Sequence, residues 1–273
     1  MAAQRLDREI LDPQAADFYR HALTVLMDAQ IPFLLGGAYA FHQYTGIARH
    51  TKDLDVFIYG RDIRRALALF AAHGCHTELT YPHWLGKAYR GDLFVDFIFS
   101  SMNGVEPVDD VWFTNATTGV VLGLPVQISP AEEMIWQKAF IMERERYDGA
   151  DVAHLLRARG RDLDWDRLLD RFGPHWPVLL SHCILAAFIY PGDRPIVPDH
   201  IMSTLLKRMR GELATPADAD NLCQGTLLSL QQYLMDIDEW GYEDARLTEG
   251  FLTRKEVATI MDVHAREQKK HQR

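Results

Sequence analysis

The sequence predicts an α+β chain in which strands and helices alternate first and helices alone follow. Three observations carry this reading. The first 74 residues run in the order αβαβα, residues 75 to 128 break into short extended runs around turn residues, and from Ser129 onward nearly every segment has helical periodicity. The expected division is therefore into units 1–128 and 129–273.

The first helix is DPQAADFYRHALTVLMDAQ, with Asp12 as N-cap and Pro13 at the first helical position; Phe18, Ala22, Val25 and Leu26 recur at helical spacing. IPFLLGG is a short strand ending in two glycines, AYAFHQYTG a short helix, and KDLDVFIYG a second strand. RDIRRALALFAAHG is a helix stopped by Gly74. CHTELTYP, KAYRG, DLFVDFIFS and GVVLGLPVQIS are strands joined by hairpins. A Ser-Pro-Ala-Glu capping box at Ser129 opens the helix SPAEEMIWQKAFIMERERY. ADVAHLLRARG, DWDRLLDRFG, PVLLSHCILAAFIYP, DHIMSTLLKRMRG and TRKEVATIMDVHAREQKK follow, the last with a second capping-box pattern at Thr253 and Glu256.

The chain of 273 residues is 48% hydrophobic and 25% charged, an ordinary globular composition able to bury a core. Its net charge of -9 and pI near 5.7 argue against a protein that coats long duplex nucleic acid. Cys75, Cys183 and Cys223 are odd in number and far apart, which points away from a disulfide framework or cysteine zinc site and towards a reducing, cytoplasmic setting. The N-terminus lacks an apolar signal region, and VLLSHCILAAFIYP is too short and polar to span a bilayer, so a soluble protein without a membrane partner is expected.

Chemistry is concentrated in the first half. In RHTKDLDVFI, Asp53 and Asp55 interrupt a strand and share one of its faces. At twice the strand rise and an effective dielectric near 20 they repel by roughly 2.5 kcal/mol, so the pair calls for a cation. Asp96 interrupts the apolar run LFVDFIF, where an unpaired carboxylate is costly. Gly36 and Gly37 close a strand at a helix start, where backbone N–H groups can face a phosphate. Three carboxylates on adjacent strands beside such a turn fit a two-cation site for phosphoryl transfer. The histidines show no H-E-x-x-H spacing, and no P-loop, Rossmann or G-x-S-x-G pattern occurs. Phe57 stands where a third EF-hand ligand would be needed.

GGAYAF, TKDLDVFI and the aspartate of VDFIF together resemble the nucleotidyltransferase fold of the DNA polymerase β superfamily, most closely its AbiEii-type and minimal branches, which include toxins and antitoxins. The resemblance covers roughly residues 30 to 155. It implies a small mixed β-sheet flanked by helices and followed by a helical domain. It further implies that Gly36 and Gly37 contact the triphosphate of an NTP, and that Asp53 and Asp55 ligate two Mg²⁺ ions, with Mn²⁺ able to replace them. Asp96 would share the catalytic ion and help deprotonate an acceptor hydroxyl, on RNA, protein or a small molecule, with release of pyrophosphate.

Lys138, followed by Asp148 and Asp151, resembles the lysine and paired aspartates after the core of AbiEii-like proteins. The resemblance assigns Lys138 to nucleotide phosphates and Asp148 to support of the site. Arg49 and Lys52, with His50 and Thr51 between them, precede the acids and stand within reach of phosphates. The first motif is Gly-Gly-Ala, lacking the serine many relatives offer. CCA-adding enzymes carry arginine and aspartate where this chain has Tyr39 and Ala40, whereas aminoglycoside nucleotidyltransferases stay open. The alternative from another class is a non-catalytic nucleotide-binding or antitoxin-like interaction module. A third reading makes the helical half a docking surface, against which Trp136, Trp165, Trp176 and Trp240 are read as core.

Overall fold

The computed structural model describes residues 13–49, 51, 53–193, 196–215 and 221–271. They pack as two compact units, one within residues 1–130 joined by the segment from Leu252 onward, the other Ala131–Phe251. The first unit runs α1 (Pro13–Asp28), β1 (Phe33–Leu35), α2 (Gly37–Thr45), β2 (Asp53–Ile58), α3 (Ile63–Ala72), β3 (His76–Tyr81), β4 (Leu85–Arg90), β5 (Leu93–Ile98), α4 (Asp110–Thr114), β6 (Thr117–Val121) and β7 (Leu124–Ile128). The expected cap of α1, Asp12, lies outside the described residues.

These seven strands form one mixed sheet flanked by helices, in the order β3-β4-β5-β2-β1-β7-β6. Strands β2 and β5 pair in parallel, as do β1 and β7, and the other neighbours are antiparallel. Alternation gives the central strands two unlike faces. Leu54, Val56, Ala88, Val95 and Phe97 are fully buried on one of them. There Phe70 of α3 meets Phe97 edge-on at 5.0 Å, and Arg90 lies 4.9 Å over the Phe18 ring of α1. The opposite face carries Asp53, Asp55 and Phe57 from β2 and Asp96 from β5, with Phe57 packed on Trp112 of α4 at 4.9 Å.

The connection between β5 and α4 is a buried polar knot. Ser101 Oγ donates to Asn103 Oδ1 at 2.6 Å and accepts from the Glu106 N–H at 3.0 Å. The Glu106 side chain is almost wholly enclosed, and burial pushes its carboxyl up to about 8. The folded chain thus holds a proton on Glu106 that the unfolded chain releases near its ordinary value. This contribution to stability is complete below about pH 4.5 and is lost as pH rises towards 8. Thermal melts between pH 5 and 8.5 are expected to show a falling Tm for wild type and a flatter profile for Glu106→Gln, with the variant the more stable at pH 8.5.

The second unit contains α5 (Ala131–Ala139), α6 (Gly149–Arg159), α7 (Trp165–Phe172), α8 (Trp176–Ile189), α9 (Asp199–Leu213), α10 (Leu234–Asp238) and α11 (Ala245–Thr248), with a short parallel pair β8 (Leu222–Cys223) and β9 (Glu243–Asp244). Helix α12 (Arg254–His271) groups with the first unit, touches β3 there, and is opened by the expected box: Thr253 N–H and Oγ1 both donate to Glu256 Oε2, and Glu256 N–H returns to Thr253 Oγ1. The box expected at Ser129 does not form. Ser129 Oγ has no hydrogen-bond partner, because Glu132 is drawn to the Asp164 N–H at 2.8 Å and to Arg167 at 2.7 Å.

The helix expected through Tyr147 stops at Ala139. Beyond it the chain is held away from helical geometry by tertiary bonds, Glu143 accepting from Ser229 Oγ and the Leu230 N–H, while Met142 bridges Tyr147. Trp136, Trp165 and Trp176 are core, but Trp240 is 62% exposed. By length and composition Trp165–Ile189 is apolar enough to cross a membrane, yet the stretch turns at Gly173 and buries Leu168, Phe172, Leu179 and Cys183.

Glu133 anchors this unit. Fully buried, it takes Arg167 Nη1 at 2.5 Å and Arg171 Nε at 3.2 Å, and the Arg171 guanidinium lies 5.0 Å over the Trp136 ring. Removing one partner strands buried charge. Glu133→Gln should cost about 3 to 5 kcal/mol by denaturant unfolding.

Candidate active site

The parallel register of β2 and β5 sets Asp55 directly beside Asp96. Asp53, two residues earlier on the same face, completes the group: the three side chains each offer a carboxylate oxygen within 4.8 Å of the others. Asp96 is buried, whereas Asp53 and Asp55 are half-buried and open to solvent on one side. Thr51 fixes the first of them, its hydroxyl donating to Asp53 Oδ1 at 2.5 Å.

The glycine pair is built against these acids. Gly36 donates its N–H to the Asp55 carbonyl at 3.0 Å, and a Cβ there would fall 2.0 Å from the Phe57 ring. At Gly37 a Cβ would fall 1.8 Å from Asp55 Oδ2, and the residue has φ +52, a conformation natural to glycine. Helix α2 therefore starts in contact with a metal-ligand type of side chain, its first-turn amides unpaired within the helix. The signal for this contact is absent from the sequence, since it depends on how two strands and a helix meet.

Lys87 is the residue that sequence reasoning missed. It stands opposite Asp96 in the antiparallel β4–β5 pair and its Nζ donates to both carboxylate oxygens, at 2.8 and 3.1 Å. Counting back from the tight turn at Gly91, where Arg90 faces Leu93, would have found it. Glu78 extends the row onto β3 opposite Lys87 and accepts from Tyr89 and Thr80. Burial raises the Asp96 carboxyl above its ordinary value, Lys87 opposes that rise, and Asp53 and Glu78 add to it. The fully buried Tyr19 hydroxyl of α1 is raised too, first by burial and then by the charges of Asp53, Asp96 and Asp55.

The Arg49 guanidinium lies 4.4 Å over the Phe41 ring, and Lys52 and His50 are outside the described residues. In the second unit Lys138 joins Asp148 at 2.9 Å and Asp151 at 2.8 Å, while Arg146 also reaches Asp148. Burial pushes the Asp148 carboxyl up, but its bonds to Arg146 and Lys138 outweigh this and hold it below the usual range.

The donor set of the triad is all carboxylate oxygen, which suits a hard divalent cation such as Mg²⁺ or Mn²⁺. The space where any side chain at residue 37 would lie is taken by the Asp55 carboxylate. Gly37→Ala is expected to displace Asp55 and weaken Mn²⁺ binding at least tenfold by calorimetry while the circular dichroism spectrum is retained.

No family model and no curated protein matches the chain. Among solved structures it is similar to the antibiotic-resistance factor ANT(2'')-Ia, at 17% identity over 75% of this chain and 95% of that one, with a TM-score of 0.40. It is similar to the lincomycin-bound lincosamide antibiotic adenylyltransferase LnuA, at 12% identity over 54% and 97%, TM-score 0.39. JHP933 from Helicobacter pylori is similar at 16% identity over 75% and 98%, TM-score 0.38. The overlap at these scores is partial, and what the site can do follows from its own residues.

Proposed function

We propose that the first unit is a nucleotidyltransferase, moving a nucleoside monophosphate from an NTP to a hydroxyl acceptor and releasing pyrophosphate. The observation that carries this is the convergence of Asp53, Asp55 and Asp96 within 4.8 Å beside a helix start whose glycine admits no side chain. Asp53, Asp55 and Asp96 would hold divalent cations, which when bound neutralise phosphate charge and make the acceptor oxygen more acidic. Thr51 fixes Asp53, and in this reading Asp96 would help take the acceptor proton. Gly36, Gly37 and the first-turn amides of α2 offer backbone donors to the triphosphate. Rate then comes from orientation and charge complementarity rather than from a covalent enzyme intermediate.

In this reading Lys138, Arg49 and Lys52 serve nucleotide phosphates, Asp148 supports Lys138, and the AbiEii-type branch is the finer assignment, resting on the Lys138 and Asp148 pair. The acceptor belongs to one of three classes, RNA, protein or a small molecule such as an antibiotic; ANT(2'')-Ia and LnuA are described as acting in the last. The rival reading, a non-catalytic partner-binding module, draws on one feature of the helical unit: Ile184, Leu185, Phe188 and Ile189 stay exposed along α8, Phe188 by 78%.

The deciding experiment pairs thermal shift with each of the four NTPs, with and without Mg²⁺, and pyrophosphate release over an acceptor panel. Asp53→Asn should keep the fold, lose the Mg²⁺-dependent shift and lower pyrophosphate release at least a hundredfold. Undiminished turnover in that variant sinks the assignment, and nucleotide binding without turnover on any acceptor favours the rival.

A further inference from the structure

Lys87 is bound to the acidic triad through both oxygens of Asp96, at 2.8 and 3.1 Å, so its ammonium covers a carboxylate that would otherwise be offered to a cation. Its place is set by strand register, and its ammonium also sits 4.5 Å over the Phe94 ring, so two contacts hold it there. On its other side Glu78 Oε1 accepts from Tyr89 and Thr80 at 2.8 and 2.9 Å, and Asp96 is the carboxylate that Lys87 grips. The lysine side chain is 19% exposed and that of Asp96 12%, so the pair is only weakly screened by solvent.

We propose that Lys87 is a built-in cation of the metal site: its ammonium occupies Asp96 in the nucleotide-free protein, so that Asp53 and Asp55 alone hold a single divalent ion. This rests on the reading of the triad as a divalent-cation site. The triad and Lys87 carry two net negative charges, which one divalent ion balances, and Glu78 on the far side of Lys87 adds one more. A second ion would reverse the sign of the site until a polyphosphate brought charge of its own. Lys87 thereby sets both the number of ions held before substrate arrives and the affinity of the first. It acts on the ion site by the charge of its ammonium, which its grip on Asp96 holds in place, and not on the reacting atoms.

The test is Mn²⁺ titration followed by electron paramagnetic resonance of the free ion, without nucleotide. Wild type should bind one Mn²⁺ per chain. Lys87→Met should bind the first ion at least tenfold more tightly, about 1.4 kcal/mol, and Lys87→Arg should stay within threefold of wild type. Because Lys87→Met leaves Asp96 without its partner and can fail to fold, the comparison is repeated in an Asp96→Asn background. There the added Lys87→Met should again tighten Mn²⁺ at least tenfold. If Mn²⁺ binds wild type and is lost in Asp53→Asn, yet both Lys87→Met comparisons stay within threefold, the role of Lys87 is overturned and the proposed function stands. If wild type binds no Mn²⁺, both are overturned.

Discussion

Mutual repulsion among three carboxylates is the constraint around which the centre of the sheet is organised. At 4.8 Å and an effective dielectric near 20, each pair of charges repels by about 3.5 kcal/mol. Nothing in β2 or β5 alone would hold them together. The opposite face does so: Leu54, Val56, Val95 and Phe97 are fully buried there under α1 and α3. Slipping β5 by one residue would carry Asp96 into that apolar layer and bring Val95 or Phe97 out of it. Burial on one face therefore fixes the register that brings the acids together on the other.

Support from the glycine side is equally specific. Strand β1 is only three residues long and ends where Gly36 bonds the Asp55 carbonyl. Phe57, wedged between Gly36 and Trp112, transmits the position of α4 to β2, two residues from Asp55. The helix start, the aromatic pair and the acids are thus one packed assembly. A larger residue at position 36 or 37 would be felt first at Phe57 or at the Asp55 carboxylate.

Much of this was legible in the sequence, because alternation in a strand is a local property. Asp53 and Asp55 on one face and Asp96 as a costly interruption follow from period two alone. Lys87 was equally legible, but only through the hairpin register. What was not legible depends on contacts distant in sequence. Ser129 and Glu132 have capping-box chemistry, yet Arg167, thirty-five residues beyond Glu132, competes for the carboxylate and wins. Helical periodicity persists beyond Ala139, but Ser229 and Leu230 capture Glu143 and the chain turns instead. Periodicity likewise found α12 without indicating that it groups with the first unit.

The two lysines attached to acidic pairs differ in how freely they could exchange partners. Lys138 grips Asp148 and Asp151, but each has other support: Arg146 reaches Asp148, and Asp151 lies in the first turn of α6, where the helix dipole favours a carboxylate. Loss of the Lys138 contact would leave neither acid uncompensated. Among the described residues Lys87 is the one cation bonded to Asp96, whose other charged neighbours, Asp53, Asp55 and Glu78, are acidic. An incoming cation is what would take over its role. Lys138 is thus one of several supports for its two acids, whereas Lys87 is the cation on which Asp96 depends among the described residues.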